Sequence, residues 1–249
     1  MADEKQVIAE VLVDADPETV WRAISDGEEV SRWFSPEARV SGGVGGSLWL
    51  SWGEGMAWEA PIELWEPNRH LRTVDPPPSK AAVDYIIEAR GSETLLRIVQ
   101  SGFAAETWDD EIDTLTSGWR AFAENFKFYV ERHRGKPRTM AMFRHPVVEM
   151  ERTQAFPLML DALGLTVVGE GEPFRGPFFE GVARVVAPPV NFSATLSNHG
   201  EAFLMVELEP GRGKCRPAVW VSLYGESGSE AEALKERLRD AVTRAFTSA

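Results

Sequence analysis

The side chains able to do chemistry are few and scattered. The four histidines, His70, His133, His145 and His199, stand far apart in turn-like contexts. No HxxxH, HExxH or GxSxG spacing ties them to a metal or a nucleophile, so each reads as a solvated side chain. The single cysteine, Cys215, lies between Lys214 and Arg216, cations that would lower the pKa of an exposed thiol. No histidine is near it in sequence, and it reads as a bystander. One cysteine can form neither an internal disulfide nor a CxxC metal site. The run Gly42-Gly43-Val44-Gly45-Gly46 lacks the Lys-Ser/Thr of a phosphate-cradling loop and precedes a strand, so it reads as a turn. Arg97 shares a strand face with Leu95 and Val99. Buried there, it would hold a ligand carboxylate through two nitrogens; at the rim it would pair with an acid such as Asp84 or Glu88. The sequence offers no catalytic residue, no metal site and no cofactor motif.

Apolar recognition is better represented. Trp49, Trp58, Trp119, Phe122 and Phe126 are candidates for a ligand-binding wall, with Arg97 as a polar anchor. Taken singly, each aromatic reads as core, contributing ~1.5–3 kcal/mol by burial. Taken together, on a sheet and a helix that do not quite close, they would line an apolar pocket. Trp119, Phe122 and Phe126 are spaced three and four apart and so share one helix face, with Arg120, Glu124 and Lys127 on the other. Glu59 and Glu63 alternate with Trp58 and Ile62 and face away from the apolar side of their strand.

These residues sit in a chain of 249 residues, 43% hydrophobic and 26% charged, the balance of a soluble globular protein. No segment approaches the ~18 apolar residues of a membrane span, and the amino terminus, MADEKQ, lacks the apolar stretch of a secretory signal. With a single cysteine, the expected compartment is the cytoplasm. The net charge of −13 opposes binding to nucleic acid or to an anionic membrane; it serves solubility or, alternatively, a basic protein partner. The charge is unevenly placed. Residues 1–135 carry 13 basic against 25 acidic side chains and eight of the nine tryptophans, whereas residues 136–249 carry 13 against 14. Two composition regimes predict two domains, 1–135 and 136–249, divided at the basic, Gly- and Pro-containing stretch Arg132–Arg138.

Periodicity supplies the elements. Val7, Ala9, Val11 and Val13 alternate as a strand. Asp16-Pro17-Glu18 starts a helix with a capping acid and Pro in the first turn, and a short second turn carries Val30, Trp33 and Phe34. Strands are expected at 48–52, 56–65 (with Trp58, Ala60, Ile62 and Leu64 on one face) and 71–74, then a hairpin of 83–89 and 94–103. A long helix spans 107–132, its apolar stripe running from Ile112 to Val130 and its first turns crowded with Asp109, Asp110, Glu111 and Asp113. The remainder repeats this outline: a strand within 144–151, a helix at 153–163 restricted by Pro157, strands at 178–187, 190–197, 202–209 and 219–224, and a helix at 229–246. Loops of hairpin length favour antiparallel pairing, hence an α+β fold.

Certain residues carry a family resemblance. Asp16-Pro17-Glu18-Thr19-Val20-Trp21-Arg22-Ala23-Ile24, Glu29-Val30-Ser31-Arg32-Trp33-Phe34, Gly46-Ser47-Leu48-Trp49-Leu50, Thr94 through Phe103, and Ser117-Gly118-Trp119 together resemble the bacterial branch of the activator of Hsp90 ATPase family. That family belongs to the START-like, helix-grip superfamily that includes the birch-pollen allergen. The resemblance covers most of residues 1–135. It implies a curved antiparallel sheet around a long C-terminal helix, with a cavity between them that takes an apolar small molecule without catalysis. It also allows two alternatives, a chaperone-regulating protein-interaction module and an enzyme of the cyclase or dehydratase type. Residues 136–249 lack the Trp-rich signature; their element order alone suggests a second, diverged START-like half in tandem with the first.

Overall fold

The computed structural model describes residues 5–53, 55–103, 108–211, 213–225 and 228–247, with the side chains of 108–111 outside the description. The chain separates into two compact units, Met1–Lys136 and Pro137–Ala249. Both are α+β, and every strand pairing is antiparallel.

In the first unit, β1 (Val7–Val13) buries its odd-numbered residues and leads into α1 (Pro17–Ser25) and α2 (Gly27–Ser31). The carboxylate of Asp16 accepts from the Thr19 amide at 2.7 Å and caps α1. Asp26 closes α1 through its backbone N–H to the Arg22 carbonyl, and its side chain caps α2 by accepting from the Glu29 amide at 3.0 Å. One residue thus sets the angle between the two helices. The chain then leaves α2 through Trp33, whose indole N–H donates to the Ala23 carbonyl at 2.8 Å, and Phe34.

Six strands follow: β2 (Glu37–Ser41), β3 (Ser47–Ser51), β4 (Ala57–Glu66), β5 (His70–Val74), β6 (Ala82–Arg90) and β7 (Glu93–Ser101). With β1 they form one sheet in the order β1-β7-β6-β5-β4-β3-β2. The β2–β3 turn requires glycine at 46, where a Cβ would stand 1.8 Å from the Ser41 carbonyl oxygen. β2 carries no apolar alternation beyond Ala38 and Val40, and for that reason is not among the expected strands. A bulge between Ile62 and Leu64 corrects the expected face of β4: the inward position passes from Leu64 to Trp65, which pairs with the buried Leu71 and meets Trp21 edge-on at 4.9 Å.

The unit ends in α3 (Trp108–Phe128), extended by one π-type turn, Tyr129–His133. Thr107, expected to open this helix, and the side chains of Asp109, Asp110 and Glu111, expected at its dipole, lie outside the described residues. The inward face of α3 packs Phe126 edge-on against Trp33 at 4.9 Å, and Asn125 donates to the Trp33 carbonyl. At the far end the Tyr129 hydroxyl donates to the buried carboxylate of Glu29 and accepts from the Gly135 amide at 3.1 Å, tying the end of the helix to α2.

The second unit repeats this plan with one strand and one helix fewer. Its elements are β8 (Arg138–Arg144), α4 (Arg152–Ala162), β9 (Pro173–Arg175), β10 (Glu180–Ala187), β11 (Asn191–Leu196), β12 (Phe203–Gly211), β13 (Lys214–Tyr224) and α5 (Gly228–Thr247). The sheet order is β8-β13-β12-β11-β10-β9. The first strand again pairs with the last, and a long helix again comes at the end. Its opening strand lies at Arg138–Arg144 rather than within 144–151; of the latter stretch only Val148 bridges, to Cys215. Pro157 falls inside α4, on its exposed side, where the carbonyl that its ring leaves without a donor can be hydrated. The core is a closed cluster that includes Phe156, Met159 and Leu160 of α4, Phe192, Leu204 and Val221 of the sheet, and Leu234, Leu238 and Val242 of α5. The helix-grip architecture therefore occurs twice. Among the described residues no helix is long and apolar enough to cross a membrane.

Candidate functional site

In the first unit the sheet and α3 do not close completely, and a cavity of about 430 Å³ lies between them. Alternation along the strands decides which side chains reach it. Leu48 and Leu50 of β3, Trp58 and Ala60 of β4, Thr73 of β5, Val83 and Tyr85 of β6 and Gln100 of β7 line the sheet side, and Phe34 and Trp119 line the helical side. The β5–β6 loop contributes Asp75, Pro76, Ser79 and Ala81, with the Ser79 hydroxyl donating to the Asp75 carboxylate at 3.0 Å.

The wall is a continuous series of aromatic contacts. Trp58 stacks on Trp52 at 4.8 Å with 9° between planes, Trp52 meets Phe34 edge-on at 5.3 Å, Phe34 stacks on Trp119 at 5.6 Å, and Trp119 meets Tyr85 edge-on at 6.3 Å. Each such pair adds ~0.5–1.5 kcal/mol beyond the area it buries, so the wall is held rigid without being filled. Trp58, at the outer end of the series, remains 46% exposed.

Three polar groups interrupt this surface. The Trp119 indole N–H donates to Gln100 Oε1 at 2.6 Å. An indole nitrogen can only donate, so the amide must present its oxygen to Trp119, leaving its NH₂ group as a donor. Tyr85 is 4% exposed and lines the cavity, and its hydroxyl makes no hydrogen bond among the described residues. Burial raises its phenol above the ordinary value of 10, so it stays a neutral donor. Thr73 is a buried third, directly across the strand pair from Val83.

The residues expected to bind a ligand divide. Trp58 and Trp119 line the cavity. Phe122 is half-buried and meets Phe34 edge-on at 4.7 Å, behind the lining rather than in it. Phe126 is fully buried core against Trp33. Trp49 occupies the opposite face of β3 from Leu48 and Leu50, with the Arg39 guanidinium 4.3 Å over its ring; the alternation of β3 puts it there. Arg97 lies on the outer face of β7, where it pairs with Glu10 at 2.5 Å and Glu88 at 3.2 Å, and cannot anchor a ligand inside. Asp84, an alternative partner for Arg97, instead binds His70 at 2.7 Å and Arg72 at 2.5 Å. Tyr85, Thr73 and Gln100 are not among the expected site residues, although a signal for them exists. Gln100 continues the inward stripe Leu96, Ile98, and Thr73 follows Leu71. A polar residue continuing an apolar stripe marks a place where the core opens. Among the described residues no three His, Cys, Asp or Glu side chains converge to hold a metal.

Residues 14–131 match the sequence model of the family "Activator of Hsp90 ATPase homolog 1-like protein". No curated protein matches the chain. Among solved structures, the protein MLL2253 from Mesorhizobium loti is 22% identical over 52% of this chain and 99% of its own, with a TM-score of 0.47. The Aha1 dimer from Colwellia psychrerythraea is 16% identical over 53% and 99%, also at 0.47. DynU16, a protein of the dynemicin biosynthetic locus, is 19% identical over 97% of this chain and 95% of its own, at 0.44. Residues 14–131, most of the first unit, are thus similar to the activator of Hsp90 ATPase homolog 1-like family.

Proposed function

We propose that the first unit binds an apolar small molecule in the cavity beneath Trp119, without transforming it. The observation that carries this reading is the cavity of about 430 Å³, walled by Phe34, Leu48, Leu50, Trp58 and Trp119. That volume lies within the ~300–1,000 Å³ range of small-molecule sites, and an apolar lining with a few placed polar groups is their usual composition. Native mass spectrometry of the purified protein, together with titration of the neutral fluorescent probe Nile red, tests it. A co-purified molecule, or saturable probe binding at one site, is expected. A protein that carries nothing and binds no probe would overturn the reading.

A second reading, a module that docks on a chaperone and regulates it, is favoured by the family match itself. The outer face of the sheet offers Ile8 and Leu12, both exposed, beside the ion pair of Glu10 and Arg97. Stimulation of an Hsp90 ATPase by saturating protein would support this reading, and lack of stimulation would remove it.

A further inference from the structure

The cavity's polar groups define its occupant more closely, on the assumption that the binding reading holds. Two features are independent of each other. First, the described lining includes carboxylates, Asp75 and Glu59, and no Lys, Arg or His. Asp75 continues the inward side of β5, two residues beyond Thr73, and so stands at the mouth; Glu59 turns its carboxylate outward to Ser47. A carboxylate ligand entering here would lose its hydration, meet no cation and pass an anion. Arg97, which would have neutralised it, is held on the outer face by Glu10 and Glu88. Second, the inner polar groups present donors to the cavity. Trp119 occupies the oxygen of Gln100 and leaves its NH₂ to face the cavity, and no hydrogen bond of the Tyr85 hydroxyl occurs among the described residues. Around them stand ring faces and edges, those of Phe34, Trp58 and Trp119, which suit a flat ring system better than a flexible chain.

We infer that the cavity takes an uncharged aromatic or polycyclic molecule whose carbonyl or comparable oxygen accepts from Gln100 and Tyr85, and that it excludes carboxylates such as fatty acids.

Three probes of one ring system test this by equilibrium dialysis against the full chain: naphthalene, 2-acetylnaphthalene and 2-naphthoate. The ketone is expected to bind about tenfold more tightly than the hydrocarbon, the gain of satisfied hydrogen bonds in a dry site. The naphthoate is expected to bind at least about tenfold more weakly than the ketone. In Gln100→Leu the advantage of the ketone over naphthalene should vanish. In Tyr85→Phe, which removes a hydroxyl with no described partner and so leaves the fold in place, the advantage should shrink. In Asp75→Asn the gap between naphthoate and ketone should narrow. Naphthoate binding as tightly as the ketone, or a ketone no better than naphthalene in the native protein, would overturn the inference while leaving the binding reading intact. Failure of all three probes to bind would instead remove the binding reading itself.

Discussion

Ala60 lies in β4 opposite Leu48, buried, with its methyl group on the cavity wall. Replacing it by leucine adds three carbons. Where those carbons enter space already present, their burial contributes up to ~2.4 kcal/mol at ~0.8 kcal/mol per methylene, less ~0.5–1 kcal/mol for the ordered side chain. Where the neighbours are close-packed, the same change forces strain of ~1–3 kcal/mol. The two cases differ in sign and are separated by roughly 3 kcal/mol. Ala121 provides the matched control. It is fully buried in α3 and does not line the cavity, so Ala121→Leu should show the overpacking loss. Urea unfolding followed by tryptophan fluorescence reports mainly on the first unit, which holds eight of the nine tryptophans. We expect Ala60→Leu to unfold at equal or higher urea than the native protein and to lose Nile red binding. An Ala60→Leu variant destabilised as much as Ala121→Leu would refute the reasoning, because the space beside Ala60 would then be unavailable to a side chain.

Two further outcomes follow from polar groups in the same unit. Tyr129→Phe removes the donor to the Glu29 carboxylate and the acceptor of the Gly135 amide, and should cost ~1–3 kcal/mol in urea unfolding, since Glu29 is buried and loses one of its partners. The Tyr85 phenol is raised by burial, so the folded state holds its proton more tightly than the unfolded chain does. Its contribution to stability is therefore fully present below the unfolded value of about 10 and is lost as the pH rises beyond it. Tyr85→Phe should flatten the alkaline fall in urea midpoint, and a fall unchanged in that variant would assign it to other groups.

The fold was largely legible because its signals are local. Asp16-Pro17 specifies a helix start through capping and a fixed φ, and the alternation of β1 and the stripe of α3 specify their buried faces. What escaped were elements with weak local patterns. β2 pairs only with β3 at the sheet edge and carries two small apolar residues; β9 is three residues long. The site was half legible. Trp58 and Trp119 follow from apolar periodicity, but periodicity assigns a face and not a depth. It cannot distinguish Phe126, sealed in the core, from Trp119 about two turns earlier, which borders open space. For Arg97 the sequence leaves the inner anchor and the pairing with Glu88 both open, because the face it shares with Leu95 and Val99 is apolar in sequence yet outward in the sheet. Only the partner strand, with Glu10 opposite, settles which side is inside.

The architecture also bears on where the chain can be divided. In each unit the first strand pairs with the last, β1 with β7 and β8 with β13, so each sheet is complete within its own unit. The end of α3 is likewise finished locally: the Gly135 amide donates to the Tyr129 hydroxyl and the Lys136 amide to the His133 carbonyl at 2.9 Å. A break between Lys136 and Pro137 cuts no strand pair and exposes no unfinished helix end of the first unit. Residues 1–136 alone should therefore unfold cooperatively and retain the probe affinity of the full chain, since every residue lining the cavity lies within them. Circular dichroism through a thermal ramp, with Nile red titration of the same fragment, measures both. A fragment that melts without a transition would show that the first unit draws on residues beyond 136 for its stability. One that folds but no longer binds would place the determinants of the site outside the cavity described.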